Sequence, residues 1–106
     1  MKKYKVIVTP RARQDIKAYV DYIKNTYKNP QAARSVFEDY VKTRKALSLT
    51  AGTIREQDSE LLKRRGLKRI NFRNHSYFLL FWIDNDIVSI TNIYHDLEDF
   101  ESKLDR

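Results

Sequence analysis

Residues 67–95 constrain this chain most, because they read as three consecutive strands joined by two tight turns. Tyr77-Phe78-Leu79-Leu80-Phe81-Trp82-Ile83 is an unbroken aromatic and aliphatic run. Such a run suits a strand covered on both faces, at the centre of a sheet. Before it, Lys68-Arg69-Ile70-Asn71-Phe72-Arg73 alternates polar and apolar with the period of a half-buried strand, and Asn74-His75 supplies a short polar turn. After it, Asp84-Asn85-Asp86 is turn chemistry. Ile87 to Tyr94 is rich in β-branched residues and forms the third strand, and His95 stands at its end.

The residues upstream predict one more strand and a pair of helices. Tyr4-Lys5-Val6-Ile7-Val8 is β-rich and runs into Thr9-Pro10, where Thr9 can act as N-cap and Pro10 fits the first helical turn. Ala12, Ile16, Tyr19, Val20, Ile23 and Tyr27 then lie on one helical stripe that faces the core. Asn29-Pro30 repeats the cap signal, and Ala33, Val36, Phe37, Tyr40, Val41 and Leu47 line the inner face of a second helix that ends near Ala51-Gly52-Thr53. So short a turn makes the two helices an antiparallel hairpin. Ile54 to Arg65 reads as a surface connection with a helical turn near Ser59 to Leu62, and Gly66 resets the backbone before the strands. Asp96 is placed to cap a short final helix with Leu97, Phe100 and Leu104 on its apolar stripe.

The fold class expected is therefore α+β: an N-terminal strand, an antiparallel helix hairpin packed on one face of an antiparallel sheet of about four strands, and a short C-terminal helix. The length allows one domain, 1–106, with one core. The absence of cysteine excludes a disulfide scaffold, a thiolate metal site and a cysteine nucleophile. No apolar segment follows the basic Met1-Lys2-Lys3-Tyr4, and no apolar run approaches the roughly 20 residues of a membrane helix, so a soluble, cytoplasmic protein is expected.

Charge is unevenly distributed. The net charge is +7, and Lys63, Arg64, Arg65, Lys68, Arg69 and Arg73 fall between Leu61 and Ile83 with no acid among them. From Asp84 onward seven acids face only Lys103 and Arg106. The basic block is either a solvated face or a binding surface for phosphate or an acidic protein; its inclusion of strand positions favours binding.

Other chemistries have little to build on. Two distant histidines without cysteine do not make a structural zinc site, Gly52 and Gly66 are the only glycines and form no phosphate loop, and a serine triad has no nucleophile elbow. The acids Asp96, Glu98, Asp99 and Glu101 read as the first turns of a capped helix rather than a metal site, and His75 as a surface residue. No cofactor or metal is expected.

At nearly full length the chain resembles the RelE/ParE superfamily of toxins from bacterial type II toxin–antitoxin systems. The resemblance rests on Val6-Ile7-Val8-Thr9-Pro10-Arg11-Ala12, Asp15-Ile16 and Tyr22-Ile23, on Gly66-Leu67-Lys68-Arg69, on the run from Tyr77 to Asp84, and on Ile93-Tyr94-His95. It implies a small basic toxin, associated with growth inhibition and plasmid stabilisation. It also implies a cognate, typically acidic antitoxin that wraps an extended segment across the toxin in a hetero-oligomer. ParE-like members inhibit DNA gyrase without a catalytic site, whereas RelE-like members cut mRNA in the ribosome, and the scaffold alone does not decide between them.

For an endoribonuclease without metal, the candidate catalytic residues are His95 as acid or base and Arg69 and Arg73 as phosphate ligands. Arg69, Asn71 and Arg73 alternate and so point to one face of their strand. The antitoxin or target is expected on Lys63, Arg64, Arg65, Lys68, Arg69 and Arg73 and in the apolar groove between hairpin and sheet. Many nuclease members carry Arg directly after the aromatic that opens the central strand; here that position is Phe78, after Tyr77. With the long helix hairpin, this favours the ParE-like branch and gyrase inhibition.

Overall fold

Thr9 and Asn29 set the two long helices. The Thr9 hydroxyl accepts from the Ala12 N–H at 3.2 Å and Asn29 Oδ1 accepts from the Ala32 N–H at 3.1 Å, with Pro10 and Pro30 in the first turns. The computed structural model, which describes residues 3–55 and 59–104, shows the order β1 (Lys5–Val8), α1 (Pro10–Asn25), α2 (Pro30–Thr50), a 3₁₀ turn at Ala51–Thr53, α3 (Glu60–Arg65), β2 (Lys68–Asn71), β3 (Tyr77–Asp84), β4 (Ile87–His95) and α4 (Phe100–Leu104). Of the predicted surface connection, residues 56–58 lie outside the described residues, and Ser59 caps α3. Among the described residues no helix is long and apolar enough to cross a membrane.

The sheet has four strands in the order β1-β4-β3-β2. The meander β2-β3-β4 is antiparallel, as the sequence predicts. The first strand corrects the expectation of a wholly antiparallel sheet: β1 lies parallel to β4, with Lys5 beside Ile87 and Val8 beside Ile90. A parallel neighbour requires a crossover rather than a tight turn, and the intervening chain with its helix hairpin supplies it.

Strand alternation sorts the core into two layers. Leu79, Phe81, Val88, Ile90 and Ile93 pack with Ile16, Val36, Tyr40 and Leu47 of the hairpin. On the opposite face Phe78, Leu80 and Tyr94 form a second cluster with Leu62, Leu67, Phe100 and Leu104. Helices therefore cover both faces of the sheet, where the sequence predicts one. The double coverage explains why β3 is apolar at consecutive positions. A register shift between Leu80 and Phe81 lets both Ile90 and Ile93 face the hairpin.

The final helix also departs from its predicted start. Asp99, not Asp96, takes the capping position, its carboxylate accepting from the Ser102 N–H at 3.5 Å. Leu97 precedes the helix and is 90% exposed.

Candidate functional site

The strand end at His95 is the most chemically furnished part of the molecule. Pairing of Tyr77 with His95 puts both rings on the hairpin face, 4.9 Å apart and nearly perpendicular. Tyr19 of α1 stands 5.1 Å from Tyr77. Glu98 closes the group: it accepts from the Tyr19 hydroxyl, from the His95 N–H at 3.0 Å and from the Lys103 ammonium.

Burial and the adjacent Glu98 carboxylate push the Tyr19 and Tyr77 phenols above their ordinary pKa. Burial would raise the Glu98 pKa, but hydrogen bonds from Lys103, Tyr19 and the His95 N–H outweigh it and hold the group below its usual value. His95 Nδ1 accepts from the Leu97 N–H at 3.1 Å. That bond assigns the proton of the neutral ring to Nε2, which then donates rather than accepts.

Asp15 shows how α1 is tied to the same strand. Ile93 lies past the end of β1, whose last partner is Ile90, and its N–H donates to Asp15 Oδ2 at 3.0 Å. Burial raises the Asp15 pKa, against the opposing effects of the Ile93 N–H and of Arg11.

The predicted ribonuclease residues are not gathered around one point. Arg69 pairs with Leu80, so it lies on the face opposite Tyr77 and His95. Its guanidinium stacks 3.7 Å above the Phe78 ring, donates to Asn71 Oδ1 at 2.9 Å and reaches Asp96 at 3.3 Å. Phe78, at the position where the ribonuclease expectation calls for an Arg, is 1% exposed within the second core.

Arg73 falls outside β2, which ends at Asn71, so the predicted alternation of Arg69, Asn71 and Arg73 on one strand is corrected. The cause is a buried acid that the sequence reading missed. Asp39 on α2 accepts from the N–H groups of Arg73 at 3.2 Å and Asn74 at 2.9 Å and from His75 Nδ1 at 2.8 Å, drawing the chain out of the strand. His75 Nε2 lies 3.2 Å from the Ser35 hydroxyl, within hydrogen-bond distance. His75 is thus part of a clasp, not plain surface. The Ser35-His75-Asp39 order is that of a hydrolytic triad, but the adjacent backbone donors are already committed to Asp39, so it ties a loop to a helix. The legible signal was an acid set between Val36, Tyr40 and Thr43 on the inner stripe of α2.

The remaining basic residues form a separate margin. Lys63, Arg64 and Arg65 occupy the last turn of α3, and Lys68 opens the edge strand β2. A second basic feature lies at the other edge of the sheet. There an open groove of about 740 Å³ runs along Val6, Ile7 and Val8, bordered by Arg13, Arg44 and Lys45. This groove lies between hairpin and sheet and is mixed in character, with apolar β1 side chains beside basic helix side chains.

A family model described as the ParE toxin of the type II toxin–antitoxin system parDE matches residues 6–100. Among solved structures, a chain of the chromosomal ParDE toxin–antitoxin system from P. aeruginosa is similar with a TM-score of 0.74 and 19% identity over 88% of this chain and 96% of that one. A chain of the toxin–antitoxin complex RelBE2 from Mycobacterium tuberculosis is similar with a TM-score of 0.57 and 24% identity over 88% and 98%. Comparison with curated protein sequences gives no match.

Proposed function

The chain belongs to the ParE toxin family of type II toxin–antitoxin systems, and from that premise we propose that it arrests growth in the cytoplasm by binding DNA gyrase, without catalysis, and is neutralised by a cognate antitoxin. The observation that carries this reading is the family match over residues 6–100. The geometry supports it: Arg69 and His95 lie on opposite faces of the sheet, Arg73 sits in a loop held by Asp39, and Phe78 is core. Metal-free phosphodiester cleavage needs acid, base and charge stabilisation within reach of one phosphate, whereas Arg69 and His95 point to opposite faces of the sheet.

The antitoxin is an acidic chain. It docks along the β1 groove, where Val6, Ile7 and Val8 offer apolar contact and Arg13, Arg44 and Lys45 offer charge, and it extends to the margin of Lys63, Arg64, Arg65 and Lys68.

The test is to induce the chain without antitoxin and follow DNA synthesis and mRNA integrity over the first minutes. Early arrest of replication with intact transcripts, retained in a His95→Ala variant, is the expected result. Transcript cleavage that requires translation would overturn it and return Arg69, Arg73 and His95 to candidacy as a ribonuclease site. Unimpaired growth would mark a folded family member without toxicity.

A further inference from the structure

Beside His95, α1 and the turn between β4 and α4 border an open cleft of about 500 Å³ lined largely by aromatic side chains. Tyr22 and Tyr27 meet at 89° with centroids 5.2 Å apart, and Tyr77 and His95 meet at 88°. Both pairs pack edge to face, and all four rings line the cleft. A single carboxylate, Glu98, stands in the wall. Aromatic faces carry negative quadrupole density and attract cations. Aromatic rings beside one carboxylate suit a compact positive group, and a volume of this size suits a small molecule.

The chain itself demonstrates that this carboxylate takes an ammonium: Lys103 of α4 pairs with Glu98 Oε2. Lys103 is tethered on a short helix at the margin of the fold. Glu98 keeps its other oxygen for Tyr19 and the His95 N–H, so release of Lys103 would not dissolve the wall.

We propose that the cleft between α1 and the β4–α4 turn binds an alkylammonium ligand, held by its aromatic lining of Tyr22, Tyr27 and Tyr77 and by Glu98, and that Lys103 competes for the same carboxylate. A neutral ligand of the same shape would gain burial against Ile23 and Leu97 but neither the ring quadrupoles nor the carboxylate. An anion would be repelled by Glu98. The site is independent of the growth target, since it invokes neither gyrase nor antitoxin.

The experiment is an NMR titration of the full chain with choline and with 3,3-dimethylbutan-1-ol, its uncharged isostere. Saturable shifts of the Tyr22, Tyr27 and Tyr77 rings are expected with choline, at an affinity about ten-fold above that of the isostere. Tyr27→Ala, at an exposed position, should weaken choline about three-fold or more, and Lys103→Met should tighten it by removing the internal competitor. Equal affinity for the two probes would reduce the site to an apolar cleft and overturn the proposal. So would shifts centred elsewhere or no saturable response. Unchanged choline affinity in Lys103→Met would overturn the competition.

Discussion

Asp39 shows how much one side chain can organise. It is 3% exposed, sits in the middle of α2, and holds residues from Arg73 to His75 through three hydrogen bonds. Burial of the carboxylate is unfavourable, yet the bonds from His75, Asn74 N–H and Arg73 N–H outweigh it and its pKa is lowered. Asp39→Ala would strand two backbone donors and an imidazole, and we expect a loss of about 3 kcal/mol at neutral pH by urea unfolding. Because the folded pKa is the lower one, this stabilisation is complete above the unfolded carboxyl value of about 3.9 and disappears as pH falls through the folded value. The gap between parent and variant should therefore narrow in acid; a gap constant with pH would show that the ionised carboxylate is not the source. Arg69 makes a similar point with opposite charge. It is a phosphate ligand by composition, but stacking on Phe78 and bonding to Asn71 and Asp96 commit its guanidinium to the fold.

The secondary elements are held at their ends by a few atoms. Thr9 serves two elements at once: its hydroxyl accepts from the Ala12 N–H to cap α1 and donates to the Ile90 carbonyl on β4 at 2.9 Å. Thr9→Ala removes both, and the expected cost is about 2 kcal/mol in thermal or denaturant unfolding. Thr9→Ser keeps both bonds and should recover most of it. Gly66 ends α3 in the left-handed region at φ 68, with N–H bonds back to the last turn. A Cβ there would meet nothing within 4 Å, so the cost of Gly66→Ala is purely conformational, about 1 kcal/mol. A much larger loss would mean that space, not backbone geometry, selects glycine. In the turn between β3 and β4, Asn85 takes φ 55, which its side chain tolerates better than most.

At the scale of the molecule, the charge and the sheet act together. A net charge of +7 on a small body steers acidic partners, and antitoxin association should slow markedly as ionic strength rises, while dissociation changes less. Stopped-flow mixing across a salt series measures this; an association rate indifferent to salt would remove charge from the docking picture. The sequence by itself determined what depends on neighbours a few residues apart. Thr9-Pro10 and Asn29-Pro30 start helices because a cap bond and a proline act within one turn. The apolar run from Tyr77 to Ile83 is legible as an inner strand, and it pairs with β4 on one side and β2 on the other. The tertiary structure alone decided what depends on residues far apart. The direction of β1 follows from contacts such as Thr9 with Ile90, 81 positions away, and no local pattern distinguishes parallel from antiparallel pairing there. The second core face depends on α3 and α4 meeting across the strands, and the exit of Arg73 from its predicted strand depends on Asp39, a residue 34 positions earlier. The same holds for the candidate site: Arg69 and His95 look like partners in composition, but strand register places them on opposite faces, because each step of one residue along a strand reverses the side chain.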